Sequence, residues 1–243
     1  MKTKLRARRD WLLTAAAVFG FALTLGLGVW QLSRAHEREA LAARQAEADR
    51  LPELTLEEAL EGRESTGRRV RLQGRWLTGY TVYLDNRQRD GRPGFELVTP
   101  LEVPTRNGGV AVLVVRGWAP RDFRDRQALP RIPTPEGDVT VVGRVVPRIP
   151  RLYELGSAPS GAIRQNLDIA GFRQETHLPL VDFAVLQTDP APADGLRRDW
   201  PTPAVGAERN YGYAAQWFAL SGLIFILYVG FQIVRFRSLR NQD

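Results

Sequence analysis

Two apolar runs bracket this chain, and the pattern between them changes period twice. The first, Trp11–Leu32, reads WLLTAAAVFGFALTLGLGVWQL; the second lies within Arg209–Val234, RNYGYAAQWFALSGLIFILYVGFQIV, and carries no charge between Arg209 and Arg235. At about 1.5 Å per helical residue each is long enough to cross a hydrocarbon layer roughly 30 Å thick. Ser33–Arg50, rich in Ala, Glu and Arg, predicts a helix that carries the first run onward until Pro52 stops it. Thr55–Leu60 has the Thr and Glu spacing of a capping box, with Gly62 ending that short helix.

From Arg68 the alternation becomes strand-like. RRVRLQGRWL, TVYLDN, GFELVTPLEV, VAVLVVRGWA, DVTVVGRVV and VDFAVLQT follow one another, separated by Gly, Pro, Asn and Asp clusters. Asp85–Gly94 reads as a polar turn in which Asp90-Gly91 suits a hairpin, and the continuous run Val110–Val115 predicts a strand buried on both faces. Asp168–Glu175 reads as a short helix, and Pro190–Pro203, with its prolines and glycine, as an extended link to the second apolar run. No solenoid-type repeat appears. The expected fold is a membrane protein of α+β class, with two transmembrane helices bracketing one β-rich extracytoplasmic domain built as an antiparallel sheet or a small barrel. Its expected divisions are a basic cytoplasmic leader (1–10), a first span (11–32), a periplasmic domain with a helical stem (33–210), a second span (211–234) and a basic tail (235–243).

Charge fixes the direction of the spans. Of the net charge of +7, most sits at the two ends, where Lys2, Lys4, Arg6, Arg8 and Arg9 face Asp10 and where Arg235, Arg237 and Arg240 face Asp243. Basic residues beside a span mark its cytoplasmic side, so both termini are expected in the cytoplasm of a bacterial-type inner membrane. The remainder is nearly neutral, which argues against a nucleic-acid groove. Ala40 and Ala42 fit a signal-peptidase pattern but lie beyond the span in a charged, helix-favouring stretch, and the first apolar core is longer than a signal peptide needs. The expectation is an uncleaved anchor.

The chemistry available is narrow. With no cysteine, one methionine (Met1) and two histidines (His36 and His177), thiol catalysis, CxxCH haem attachment and copper delivery are disfavoured. Ser157 and Ser160 in a Gly/Pro loop and the distant His177 make no nucleophile-base pattern, and neither phosphate-loop nor dinucleotide motifs occur. No catalytic role is expected.

Trp30-Gln31 at the outer end of the first run mirrors Gln216-Trp217 in the second. One reading is an aromatic belt with snorkelling amides. The other is that Gln31, Tyr213 and Gln216 line a contact between helices or with a partner, with Gly20, Gly26 and Gly28 permitting close approach. Arg116-Gly117-Trp118 likewise reads either as a structural Arg and core Trp beside a tight turn or as an exposed pair at a partner surface. Turn chemistry accounts for Asn86-Arg87.

Four blocks in order resemble the Surfeit locus protein family of cytochrome c oxidase assembly factors. Gly28-Val29-Trp30-Gln31-Leu32-Ser33-Arg34 resembles its G-x-W-Q-L-x-R signature; Val70, Gly74, Asn86-Arg87, Pro93-Gly94 and Thr99-Pro100-Leu101 match its middle. Val114-Val115-Arg116-Gly117-Trp118-Ala119-Pro120 resembles V-x-R-G-W-x-P, and Tyr213-Ala214-Ala215-Gln216-Trp217-Phe218 the entry to the last span. The resemblance implies a non-enzymatic part in maturing a haem-copper oxidase, with the oxidase catalytic subunit or haem-delivery proteins and the lipid bilayer as partners. It also implies transient handling of haem a. Members usually carry a His three residues before the Tyr of that last block; here the position holds Asn210, and an amide is not a usual axial ligand. His36, Tyr211 and Tyr213 are the other residues near that level, and Arg34 closes the first signature. Docking rather than catalysis is the expected mode, with a membrane-anchored scaffold for a non-respiratory partner as the alternative.

Overall fold

The computed structural model describes residues 2–62, 65–106, 108–122, 129–153, 161–189, 194–201 and 206–240, with helix side chains described from residue 10 to residue 237. Ser157 and Ser160 lie outside the described residues, as do the side chains of Arg240 and of the basic residues before Asp10. The chain divides into two compact units, one of residues 1–44 and 201–243 and the other of residues 45–200.

The first unit is a pair of antiparallel helices, α1 (Lys2–Arg50) as far as Arg44 and α4 (Ala207–Arg240). Both are long and apolar enough to cross a membrane. As predicted, α1 runs unbroken from the apolar run into the charged stretch, since no Gly-Pro punctuation intervenes before Pro52. Contacts follow the pair from end to end: Asp10 with Arg235 at 2.6 Å, Thr14 Oγ1 with the Tyr228 hydroxyl at 2.9 Å, and Phe21 with Phe225 at 6.1 Å between ring centroids. Small residues make the approach close. Ala35 and Ala214 are fully buried, and a Cβ at Gly28 would lie 2.5 Å from the Phe218 ring. Gly26 faces open space, so only part of the predicted glycine stripe serves packing.

The second unit is a five-stranded barrel. In order around the ring, β1 (Arg69–Trp76) pairs with β5 (Asp138–Val146), β5 with β7 (Leu180–Gln187), β7 with β4 (Gly108–Pro120), β4 with β3 (Arg92–Thr105), and β3 closes back on β1. Closure rests on Arg75 opposite Glu102 and Trp76 opposite Leu101, beside Gly74, where any Cβ would collide with the Glu102 carbonyl. Beyond the ring, β2 (Val82–Arg89) pairs with β3, and the two-residue β6 (Ile163–Arg164) adds to β2. The pairing is not wholly antiparallel: β4–β7 and β2–β6 run parallel.

The doubly buried strand is where it was expected. Val112 and Val114 point into one core with Val70, Leu72, Val141 and Val185, which α2 (Leu56–Glu61) covers with Leu56 and Ala59. Leu113 and Val115 point into the other with Leu84 and Val98, covered by Phe172 of α3 (Ile169–Thr176). The capping box of α2 is present in both halves, and Asp168 caps α3 through the Gly171 amide at 2.9 Å.

Two expectations are corrected. Only Asp90-Gly91 forms the β2–β3 turn, both with positive φ (49° and 74°), as the twist of a tight hairpin demands. The flanking polar residues are strand, because Arg87 and Arg89 turn inward and share Glu96, each at 3.5 Å. Asn86, with φ of 61°, sits in a bulge between Leu84 and Arg87 instead of in a turn. The described part of the Pro190–Pro203 link is not a free connector either. Arg197 makes a two-way backbone bridge with Trp118 (2.8 and 2.9 Å), and the Trp200 indole donates to the Gln187 carbonyl at 2.7 Å.

Candidate functional site

The residues singled out in the sequence separate into two groups, one in each unit. Trp30, Gln31, Arg34, His36, Asn210, Tyr213, Gln216 and Trp217 belong to the helix pair; Arg116 and Trp118 belong to the barrel.

In the helix pair, Asn210 Nδ2 donates to Gln31 Oε1 at 2.6 Å. A polar side chain on an apolar helix needs a partner, because no solvent supplies one, and here the Asn210 amide supplies a donor to the Gln31 carbonyl oxygen. Gln31 is thus a helix-contact residue, as one of the two readings has it. Beside it, the Tyr211 hydroxyl donates to Glu39 at 2.9 Å, and the exposed His36 ring meets Tyr211 edge-on at 6.1 Å. Among the described residues Arg34 pairs with its helical neighbour Glu37, at 2.9 Å and half exposed, a contact worth little. Trp30, Tyr213 and Gln216 are exposed and face away from the helix contact, and Trp217 is half-buried.

Asn210 does not fit the part of a haem ligand. Its amide is a poor donor to iron and is already hydrogen-bonded to Gln31. Among the described residues, no three His, Cys, Asp or Glu side chains gather as a metal site.

In the barrel, β4 buries both Arg116 and Trp118, with exposures of 3% and 2%, and Arg116 is the extra residue of a bulge between the Val115–Val98 and Gly117–Leu97 pairs. The exposed-pair reading is therefore overturned. Trp118 Nε1 donates to the Arg87 carbonyl at 2.8 Å, and its ring packs over Gly94. Arg116 donates to Thr134 Oγ1 at 2.7 Å and to the Pro133 carbonyl, and its guanidinium lies 4.8 Å from the Trp76 ring centre. Burial pushes the Arg116 pKa down, against the pull of the Asp194 charge. Asp194 shows the opposite balance. Burial raises its pKa, but the Arg198 hydrogen bonds, the Leu196 amide and the charges of Arg198 and Arg116 together hold it below the ordinary value. Gly117, between the two motif residues, has φ of 152° and places β4 within reach of Leu196 and Arg197.

Sequence reasoning missed the inter-helix partners Thr14 and Tyr228 and the small residues Ala35 and Ala214. The available signal was polarity: Thr14 and Tyr228 are hydroxyl-bearing positions inside apolar runs.

A model of the SURF1 family matches residues 18–222. A SURF1-like protein of Rickettsia felis is 27% identical over 222 residues, spanning 86% of this chain and 92% of that protein. The match takes in every block of the sequence that resembles the Surfeit locus family, from the Trp30-Gln31 signature through Arg116-Gly117-Trp118 to Tyr213–Phe218, and on that match the chain belongs to the SURF1 family.

Proposed function

We propose that this protein is an assembly factor for a haem-copper (cytochrome c) oxidase, aiding maturation or haem a insertion of the catalytic subunit by docking and not by catalysis. The SURF1 family is associated with cytochrome oxidase assembly. The observation that carries the docking version is the Asn210–Gln31 hydrogen bond, which commits the side chain at the family's ligand position to the contact between the two helices. What remains available on that helix pair is Trp30, Tyr213 and Gln216, all exposed. An amide facing lipid is costly without a hydrogen-bonding partner, and large aromatic rings anchor protein contacts at low entropic cost. These features suit a transmembrane helix of the oxidase subunit, or a haem-delivery protein, lying alongside.

In the same reading the protein resides in a bacterial-type inner membrane with both termini in the cytoplasm and the barrel in the periplasm, following the basic flanks. The absence of cysteine makes this directly testable. A single cysteine replacing the exposed Arg75 should react with a membrane-impermeant maleimide in cells with a permeabilised outer membrane, and one replacing Gln242 only after lysis. The reverse labelling would refute the orientation.

The functional test compares membranes of a strain lacking this gene and every second copy of the family with the same strain complemented. Haem a absorbance and oxidase activity should fall on deletion and return on complementation, also with Asn210→Ala if docking is the mode. Unchanged spectra and activity would defeat the assembly reading and leave the membrane-anchored scaffold in its place.

A further inference from the structure

The ring of the barrel closes through its shortest joint. β1 and β3 share two register pairs, against seven between β1 and β5, twelve between β3 and β4, and four at each of the β5–β7 and β4–β7 joints. The chemistry of β3 keeps this seam short. The Pro100 carbonyl accepts from the Leu77 amide at 2.9 Å, so the backbone of Pro100 faces β1. The register with β4 runs without a shift from Val98 to Thr105, and the alternation of backbone groups along a strand turns Glu102 and Pro104 to the same edge. Two of these three successive positions are prolines, which have no N–H to give. Only Glu102, opposite Arg75, brings a donor to β1.

On β1 the facing edge is divided. Leu54 takes it at Arg69 and Arg71, through backbone hydrogen bonds of 2.9 Å each, and β3 takes it at Arg75 and Leu77. Continued register would set Gln73, between them, opposite Pro104, and there the ladder has stopped. Grooves of about 390 and 520 Å³ run along the seam. Leu72, Gln73, Val103 and Pro104 line part of the first, and Gly74, Arg75, Glu102 and Pro104 part of the second, so Pro104 borders both. Proline on a strand edge is a device against pairing, yet this edge closes a barrel over the buried Trp76 and Leu101.

We propose that the β1–β3 seam is a gate in the barrel: the two strands part there while the β1–β5 and β3–β4 ladders hold, and the protein works through that opening. The dependence of function on the opening rests on the assembly reading above; the opening itself does not.

Amide hydrogen exchange of the full chain in detergent reads the opening directly. The amides of Arg75, Leu77 and Glu102 should exchange at least about a hundredfold faster than those of Val112–Val114 in β4, by local opening in place of global unfolding. Pro104→Val supplies a donor to the β1 edge and should slow them about tenfold. Protection equal to that of β4, or exchange untouched by Pro104→Val, would overturn the gate. A lock tests its use. Arg75 and Glu102 are Cα partners, at the roughly 4.5–5.5 Å of an antiparallel pair, which a disulfide can bridge, and the chain has no cysteine of its own. In the deletion strain, Arg75→Cys and Glu102→Cys singly should restore haem a absorbance and oxidase activity as the parent does. The double variant, with its disulfide verified by mass and a melting temperature no lower than that of the single variants, should restore less than about a tenth and recover on reduction. A locked protein as active as the single variants would overturn the proposal. If the parent chain itself restores nothing, the assembly reading fails, and the exchange experiment alone decides the seam.

Discussion

Replacing Gly117 by alanine tests why the Arg-Gly-Trp block has a glycine at its centre. The residue has φ of 152°, and a Cβ there would lie 2.9 Å from the Arg197 carbonyl oxygen and 2.8 Å from the Leu196 Cβ. Holding a residue with a side chain in such a region costs about 1–3 kcal/mol. The backbone atom cannot swing aside like a flexible side chain, so relief requires that the segment move off β4 and give up the Trp118–Arg197 bridge, two hydrogen bonds of 2.8 and 2.9 Å. At about 0.5–1.5 kcal/mol net for each bond, the combined loss is roughly 2–6 kcal/mol. That is a large part of the about 5–15 kcal/mol that holds an ordinary domain, and at roughly 2–4 °C per kcal/mol for a domain of this size it lowers the melting temperature by on the order of 10 °C. The assay is thermal unfolding of the detergent-solubilised chain, with amide hydrogen exchange read separately at Leu196–Trp200. Faster exchange there is expected even well below the melting temperature. An unchanged melting temperature together with unchanged protection of those amides would refute the argument that Gly117 seats the segment.

Three further outcomes are expected. Trp118→Phe removes the indole donor and leaves the buried Arg87 carbonyl unpaired; calorimetry should show a loss of about 1–3 kcal/mol, and a neutral result would mean another donor takes the place. A double-mutant cycle of Gln31→Leu and Asn210→Leu, read by unfolding in mild detergent, should give a favourable coupling of about 0.6 kcal/mol and not above about 1.7 kcal/mol; zero coupling would dissolve the hydrogen bond of 2.6 Å as a helix contact. Asp194 has a folded pKa below its ordinary 3.8, so its stabilisation is present above that value and lost as pH falls through the lower folded one. Asp194→Asn should flatten the acid limb of the stability profile, and an acid limb identical to that of the parent would show that the Arg198 pair contributes nothing to it.

Much of this architecture is legible in the sequence because it is written in periodicity. The two apolar runs, the six principal strands and the doubly buried Val110–Val115 all follow from where apolar residues recur. The misreadings occur where charge goes inside. Arg87 and Arg89 look like turn residues until Glu96, on the neighbouring strand, is seen to neutralise both. Asp194-Gly195 looks like linker until Arg198, four residues on, closes a buried pair with it. Parallel pairing of β4 with β7 joins segments more than sixty residues apart and leaves no local trace. The helix-pair residues show the same limit: Asn210 marks itself by its motif position, but its partner Gln31 lies 179 residues away. Arg116 and Trp118 announce themselves as a motif, while their burial depends on a segment that arrives much later in the chain.

The ring order has a consequence for synthesis. Because β7 inserts between β5 and β4, the barrel cannot close until the chain has been made as far as Gln187. Until then β4 and β5 each show a bare edge, the kind of surface that pairs with foreign strands, and the closing contacts are among the slow, long-range ones. The second apolar helix begins at Ala207, twenty residues further on. The last strand and the second helix therefore leave the ribosome almost together, and the bare edges of β4 and β5 stay open while the chain between Val146 and Leu180 is made.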